Sequence, residues 1–366
     1  MVRALTERYI EPQHEQQEEI TMVGCDLKEK KVEFVGLQKA LDRCADIKTI
    51  NNVTLQEENV SRIGDLSSLW GEDESSIEIL RLDQNLLWQW KDIEYLGKQA
   101  PKLRQLMVSF NYLGVPKCIS TGLFQNLEVL ALTKSIVPAD NAPFRNDIFK
   151  VLASAFPNLN ELAVGNNSWA SIPDAVDKDQ WIKLQKLDMD KNEFRSWDEL
   201  EKLHSLTRLV HLQVAGCGLG DLNQDIMQFP QLKSIVISDN GIAEWETFYW
   251  LCMAFPCLES IRVQNNPFLG KDGEFASIAR PLITALWPDM QFINGGEVRR
   301  EDRLHAERYF LVLWKRDYEP VLKVDPDKRI YDRLVEKHGE PMDSAQGGAA
   351  NNGSIASSLV QFFLFA

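Results

Sequence analysis

The chain has 366 residues, 44% of them apolar, and 40 basic against 54 acidic side chains give a net charge of −14. Nucleic-acid binders concentrate Lys and Arg, so this balance argues against a phosphate-backbone ligand. The six cysteines, at 25, 44, 118, 217, 252 and 257, form no CxxC pair and no metal-ligand spacing, and they read as free thiols of a reducing compartment.

In chain order, residues 1–46 are expected to be an N-terminal flank and cap. Their opening, MVRALTERYIEPQHEQQEEI, lacks the apolar core of a signal peptide. Glu11 to Glu19 reads as a solvated acidic loop, and K-V-E-F-V-G-L-Q-K-A-L (31–41) as a strand and helical turn covering whatever core begins next.

From 47 to 294 a single pattern recurs. Leu103 to Leu113, L-R-Q-L-M-V-S-F-N-Y-L, is apolar at positions 1, 4, 6 and 11 with asparagine at 9. Copies start at Ile50, Ile77, Leu103, Leu127, Leu159, Leu184, Leu209, Leu232 and Leu258. A fixed period of this kind outranks other signals, and this one is the leucine-rich repeat consensus. It predicts an α/β solenoid, a horseshoe with about nine parallel strands on the concave face and helices or turns on the convex face. Side chains alternate along a strand, so positions 4 and 6 fill the core while 3, 5, 7 and 8 face outward. Position 9 is Asn85, Asn111, Asn167, Asn192, Asn240 and Asn266, with Ser135 and Cys217 as small polar variants; a buried amide there bonds the backbone of adjacent turns. Helices are expected from Trp90 to Ala100, Phe144 to Phe156, Asp198 to Leu206 and Glu246 to Phe255, three of these runs lying between apolar spacing and a following proline. The tryptophans near position 11 (Trp88, Trp90, Trp169, Trp197, Trp245) are expected to fill the convex core.

Residues 295–341 are expected to cap the far end, with Leu304, Tyr309, Leu311 and Leu313 closing the core. Residues 342–366, rich in Gly, Ala, Asn and Ser, read as a disordered low-complexity tail. No apolar run reaches membrane-spanning length, so neither membrane nor nucleic acid is an expected partner, and the chain reads as cytoplasmic.

No nucleophile–base motif, phosphate loop, metal cluster or HExxH is present, so no enzyme activity, cofactor or metal is expected. The candidate partner surface is the concave face, where the register puts Arg81, Asp83, Met107, Asp188, Asp190, Gln213, Arg262 and Gln264 at positions 5 and 7. Phe110 falls at position 8 and His211 at position 3, and Asp188 and Asp190 share one face between Lys186 and Lys191.

Both flanks resemble one family. Ala4-Leu5, Arg8-Tyr9, Val32-Glu33 and Val35-Gly36 look like its entry segment. Asn266-Pro267, Ala279-Arg280, Asn294, Glu297-Val298, Arg299 to Arg303, Ala306 to Tyr309 and Lys337-His338-Gly339-Glu340-Pro341 look like its exit cap. The family is tubulin-specific chaperone E, also called tubulin-folding cofactor E. The resemblance implies a non-enzymatic chaperone, cytoplasmic and cytoskeleton-associated. It would capture α-tubulin, assemble the αβ heterodimer with cofactors C and D, and dissociate it with cofactor B. Members usually carry a CAP-Gly domain before the repeats and a ubiquitin-like domain after them, so the chain is expected to correspond to the central module. A second reading is another leucine-rich adaptor that shares only the cap, such as a phosphatase regulator or a ribonucleoprotein subunit.

Overall fold

The computed structural model describes residues 1–10, 21–23, 29–31, 47–70, 75–137, 148–172 and 181–341. Each of the nine repeat copies forms a strand at its positions 3 to 5. These are β1 Asn52–Thr54, β2 Ile79–Arg81, β3 Gln105–Met107, β4 Val129–Ala131, β5 Glu161–Ala163, β6 Lys186–Asp188, β7 His211–Gln213, β8 Ser234–Val236 and β9 Ser260–Arg262. All nine pair in parallel in chain order, and the sheet stays open at both edges. The register aligns the position-4 residues into one row, Val53, Leu80, Leu106, Leu130, Leu162, Leu187, Leu212, Ile235 and Ile261, all buried. Burying each such side chain stabilises by about 1.5–3 kcal/mol. The row at position 6 is buried alongside it.

Position 8 has a common backbone conformation in all nine copies. Glu57, Gln84, Phe110, Lys134, Asn166, Lys191, Gly216, Asp239 and Asn265 all have φ between 50° and 64°. This left-handed residue swings the chain off the strand and turns position 9 inward. There Asn192 donates to the carbonyls of Val164 (3.1 Å) and Met189 (2.8 Å) and accepts from the N–H groups of Asn167 (3.1 Å) and Trp169 (3.0 Å). Asn85, Asn111, Asn167, Asn240 and Asn266 repeat the arrangement, donating to position 6 of the preceding repeat and accepting from its turn. Ser135 and Cys217 donate to the corresponding carbonyls, Val108 and Met189.

After the first connection, which holds a one-turn helix at Ser67–Trp70, the convex connections alternate. Helices α1 Trp90–Gln99, α2 Ile148–Ala155, α3 Trp197–Glu201 and α4 Glu246–Ala254 fall on every second connection, while the described residues between β3 and β4, β5 and β6, and β7 and β8 hold no helix. Trp169, Trp197 and Trp245 are buried in this layer. Trp88 is not: it is 52% exposed, because it follows the inward-pointing Leu87 and so faces out. Cys217 and Cys252 are free and buried, and burial pushes their thiols up to about 12 and about 11, which leaves them unreactive. Cys118 and Cys257 are exposed.

The array runs one strand further than the nine copies. β10 Phe292–Ile293 pairs in parallel with β9, with Met290 and Ile293 buried at positions 1 and 4 of a truncated tenth copy. Asn294 (φ 53°) and Gly295 (φ 82°) then form a two-residue hairpin turn, and β11 Gly296–Glu297 returns antiparallel, ending the repeat. Two consecutive left-handed residues are what such a turn requires, and Asn-Gly supplies them.

Both ends are covered by non-repeating residues. At the first strand, Leu5 is fully buried, and the Tyr9 hydroxyl accepts from the Thr54 N–H (2.9 Å) and donates to its carbonyl (3.3 Å). The cover expected from 31–41 lies outside the described residues apart from Lys31, as does the tail 342–366. At the other end stand α5 Ala276–Leu286, α6 Arg300–Lys315, α7 Glu319–Val324 and α8 Arg329–His338. Phe310, Leu311 and Leu313 close the core; Leu304 and Tyr309 are only half-buried. Arg303 donates to the carbonyls of Thr284, Trp287 and Met290, and Arg333 to those of Ala285 and Leu286, so two guanidinium groups satisfy the C-terminal end of α5. Arg280 holds the β10–β11 hairpin through the carbonyls of Ile293, Gly296 and Glu297. The buried Glu307 bonds Lys337 Nζ (2.9 Å) and His338 Nε2 (2.5 Å), tying α6 to α8.

Candidate functional surface

The outward face of the sheet carries every residue that the register puts forward. Lateral pairs between neighbouring repeats line one side of it: Arg104–Glu128 at 2.9 Å, Lys186–Glu161 at 2.5 Å and Lys233–Glu259 at 2.7 Å. Each is exposed and contributes at most about 1 kcal/mol. They leave the middle of the face to positions 5 and 7.

At position 7 the aspartates have a backbone role. Asp83 Oδ1 accepts the Ser109 N–H at 2.8 Å, and Asp190 Oδ1 accepts the Ala215 N–H at 2.7 Å, each reaching position 7 of the following repeat. Asp188 Oδ1 accepts the Asp190 N–H at 2.9 Å. Gly165 lies against this pair; a Cβ there would come within 2.9 Å of the Asp190 carbonyl oxygen and 3.3 Å of Asp188 Oδ1, so the close approach needs glycine. Burial pushes the Asp190 carboxyl up to about 6, helped by Asp188 and Asp239, and the Asp83 carboxyl upward as well. Both acids therefore sit in semi-buried turns with one oxygen already committed.

The remaining residues are freer. Gln213, Arg262 and Gln264 are exposed, with no side-chain hydrogen bond among the described residues. Arg81 donates to Asn52 Oδ1 at 2.9 Å, and Met107 is half-buried between strands. His211 is half-buried, and burial together with Lys186 lowers its pKa, which favours the neutral ring. Phe110 is 46% exposed at the left-handed position 8, with Lys134 Nζ 6.0 Å from its ring centre. Among the described residues no group of three or more His, Cys, Asp or Glu side chains is placed to hold a metal ion. What the face offers is a rigid array of polar side chains at the strand spacing of about 4.8 Å, suited to contact with a macromolecule.

Sequence reasoning passed over the rim beside this face. Leu86, Trp88 and Tyr112 are exposed at positions 10 and 12 of the second and third copies. The available signal was large apolar residues at positions that the consensus does not bury.

No protein-family model matches the chain. Human (Homo sapiens) tubulin-specific chaperone E is 27% identical over 315 residues, 83% of this chain and 57% of that protein. The protein of the same name from Pongo abelii is 27% identical over 350 residues, 92% of this chain and 63% of that protein. Tubulin-folding cofactor E of Arabidopsis thaliana is 24% identical over 365 residues, 96% and 66%. The resemblance read from the two flanks is borne out, and the chain spans 57 to 66% of the length of these relatives. Among solved structures, human 5T4 overlays with a TM-score of 0.38 at 18% identity, covering 60% of this chain and 70% of that one. That overlay is loose and adds nothing to the strand register described above.

Proposed function

We propose that the chain is the tubulin-binding repeat module of a non-enzymatic tubulin-folding chaperone of the cytoplasm, associated with the cytoskeleton. It captures α-tubulin on the outward strand face and acts with cofactors B, C and D in assembling or dissociating the αβ heterodimer. The observation that carries this reading is the similarity to proteins named tubulin-specific chaperone E across 83 to 96% of the chain. It gains support from the cap, where the resembling residues Arg280, Arg303, Glu307, Lys337 and His338 hold the end of the array together.

Charge reversal at Asp188 and Asp190 would break backbone bonds as well as any contact, so Gln213 and Arg262 give the cleaner test. Immobilised chain should retain α-tubulin from purified αβ-tubulin. Gln213→Lys with Arg262→Glu should reduce retention at least tenfold without changing the melting curve, while Ile182→Lys, outside the strand face, should not. Equal retention by all three would move the site off this face, and no retention by the wild type would overturn the proposed function.

A further inference from the structure

Repeats two and three carry an exposed apolar rim that folding does not use. Leu86, Trp88, Phe110 and Tyr112 are 44, 52, 46 and 60% exposed, and the Tyr112 N–H bonds the Leu87 carbonyl at 2.8 Å, so the two repeats lie side by side here. Elsewhere position 8 holds Glu, Gln, Lys, Asn, Gly or Asp, and position 10 of the fifth to eighth copies is Ser, Glu, Gly and Gly. Phe110 is the exception twice over. A bulky residue seldom adopts φ of 56°, and its ring is not repaid by burial.

The charges around the rim indicate what covers it. Arg62 lies over the Trp88 ring at 5.6 Å and Lys134 over Phe110 at 6.0 Å, so one cation stands at each end of the stripe. Neither has an ion-pair partner among the described residues, although acids outnumber bases 54 to 40 in the chain. Arg62 belongs to the first repeat and Lys134 to the fourth. The strands of those two repeats are three spacings, about 14 Å, apart, the reach of about four extended residues.

We propose that this rim is a docking site for an extended acidic segment of a partner protein, with large apolar side chains between two carboxylate-bearing ends. Its carboxylates pair with Arg62 and Lys134, and its apolar residues cover Trp88, Phe110 and Tyr112. The site shares Phe110 with the strand face but does not depend on the partner being tubulin.

The probe is a fluorescent peptide, Glu-Glu-Leu-Phe-Leu-Glu-Glu with blocked ends, titrated with the full chain and followed by anisotropy. Binding should weaken at least tenfold in Trp88→Ala with Tyr112→Ala and in Arg62→Glu with Lys134→Glu. It should also weaken at least tenfold when glutamine replaces every glutamate of the peptide. Phe110→Asn separates binding from folding: asparagine suits the left-handed backbone, so the melting temperature should hold or rise while peptide affinity falls. No binding by the wild type, or equal binding of the glutamine peptide, would overturn the proposal. So would binding that appears only after residues 343–366 are deleted, which would make that segment the occupant. Concentration-dependent dimerisation abolished by Trp88→Ala, without peptide binding, would assign the rim to a second copy instead.

Discussion

The interior of the array and its C-terminal cap face the same problem, buried backbone groups without partners, and solve it with different chemistry. In the interior each turn leaves a carbonyl and N–H groups unmet at the same spot. A neutral amide carries both a donor and an acceptor, so one asparagine per repeat answers both, as Asn192 does with Val164, Asn167 and Trp169. In the cap the unmet groups are of one kind at each place. The carbonyls ending α5 take the donor-only guanidinium groups of Arg303 and Arg333, and the N–H groups of Ile330 and Tyr331 take the acceptor-only carboxylate of Asp325. Interior positions are therefore interchangeable and recur with the period, whereas each cap residue is particular to its place.

Breaking the cap should have the largest effect. Glu307→Leu strands His338 and Lys337 beside an apolar group and should cost about 3–5 kcal/mol. Contacts in a solenoid are nearest-neighbour, so hydrogen exchange should accelerate in α5 and α8 while β2 and β3 stay protected. Uniform acceleration would show that the cap is coupled to the whole array. Burial raises the Glu307 carboxyl, but the bonds from Lys337 and His338 outweigh it and hold it below the ordinary glutamate range. Its stabilisation is thus complete above that range and lost as pH falls through the lowered value, a dependence that Glu307→Gln should remove.

An interior amide should matter less. Asn192→Leu leaves the Val164 carbonyl and the N–H groups of Asn167 and Trp169 without partners, which costs about 1–3 kcal/mol in urea denaturation. An unchanged midpoint would mean that water satisfies the turn and that the amide is replaceable.

The smallest effect has the opposite sign. The Asp190 carboxyl rises from 3.8 to about 6 on folding, so the folded state binds the extra proton between those values. Its contribution to stability is therefore greatest below about pH 4, falls as pH rises to 6, and is flat above. The full shift corresponds to about 3 kcal/mol, and screening of the half-exposed group reduces this to about 1 kcal/mol. Asp190→Asn, which keeps the acceptor for the Ala215 N–H, should raise stability at pH 7 by that amount and flatten the slope. A loss of stability would show that the negative charge itself holds the turn.

The same contrast explains what was legible. All nine strands, the buried rows and the amide ladder could be read directly, because a period of nine copies averages out local exceptions such as the Glu58 that takes position 9 in the first. The helical connections could be read from apolar spacing and proline stops. The tenth strand was not recognised, because only Met290 and Ile293 remain of its consensus before the Asn294-Gly295 turn cuts it off. On the candidate face the register predicted which side chains point outward. It could not say that Asp83 and Asp190 are tied to backbone N–H groups one repeat away, since that distance depends on how closely the repeats stack.

By itself, then, the sequence determined the repeat, its direction and its inward and outward faces, because these follow from side-chain alternation along each strand and hold within a single copy. Only the tertiary structure decided which polar groups remain free. Whether Gln213 is available while Asp190 is engaged depends on what the neighbouring repeat places beside it. The cap belongs to the second class too. Its arginines and Glu307 could be recognised as familiar residues, but their work at the end of α5 and between α6 and α8 arises from contacts between residues 13 to 48 positions apart in the chain.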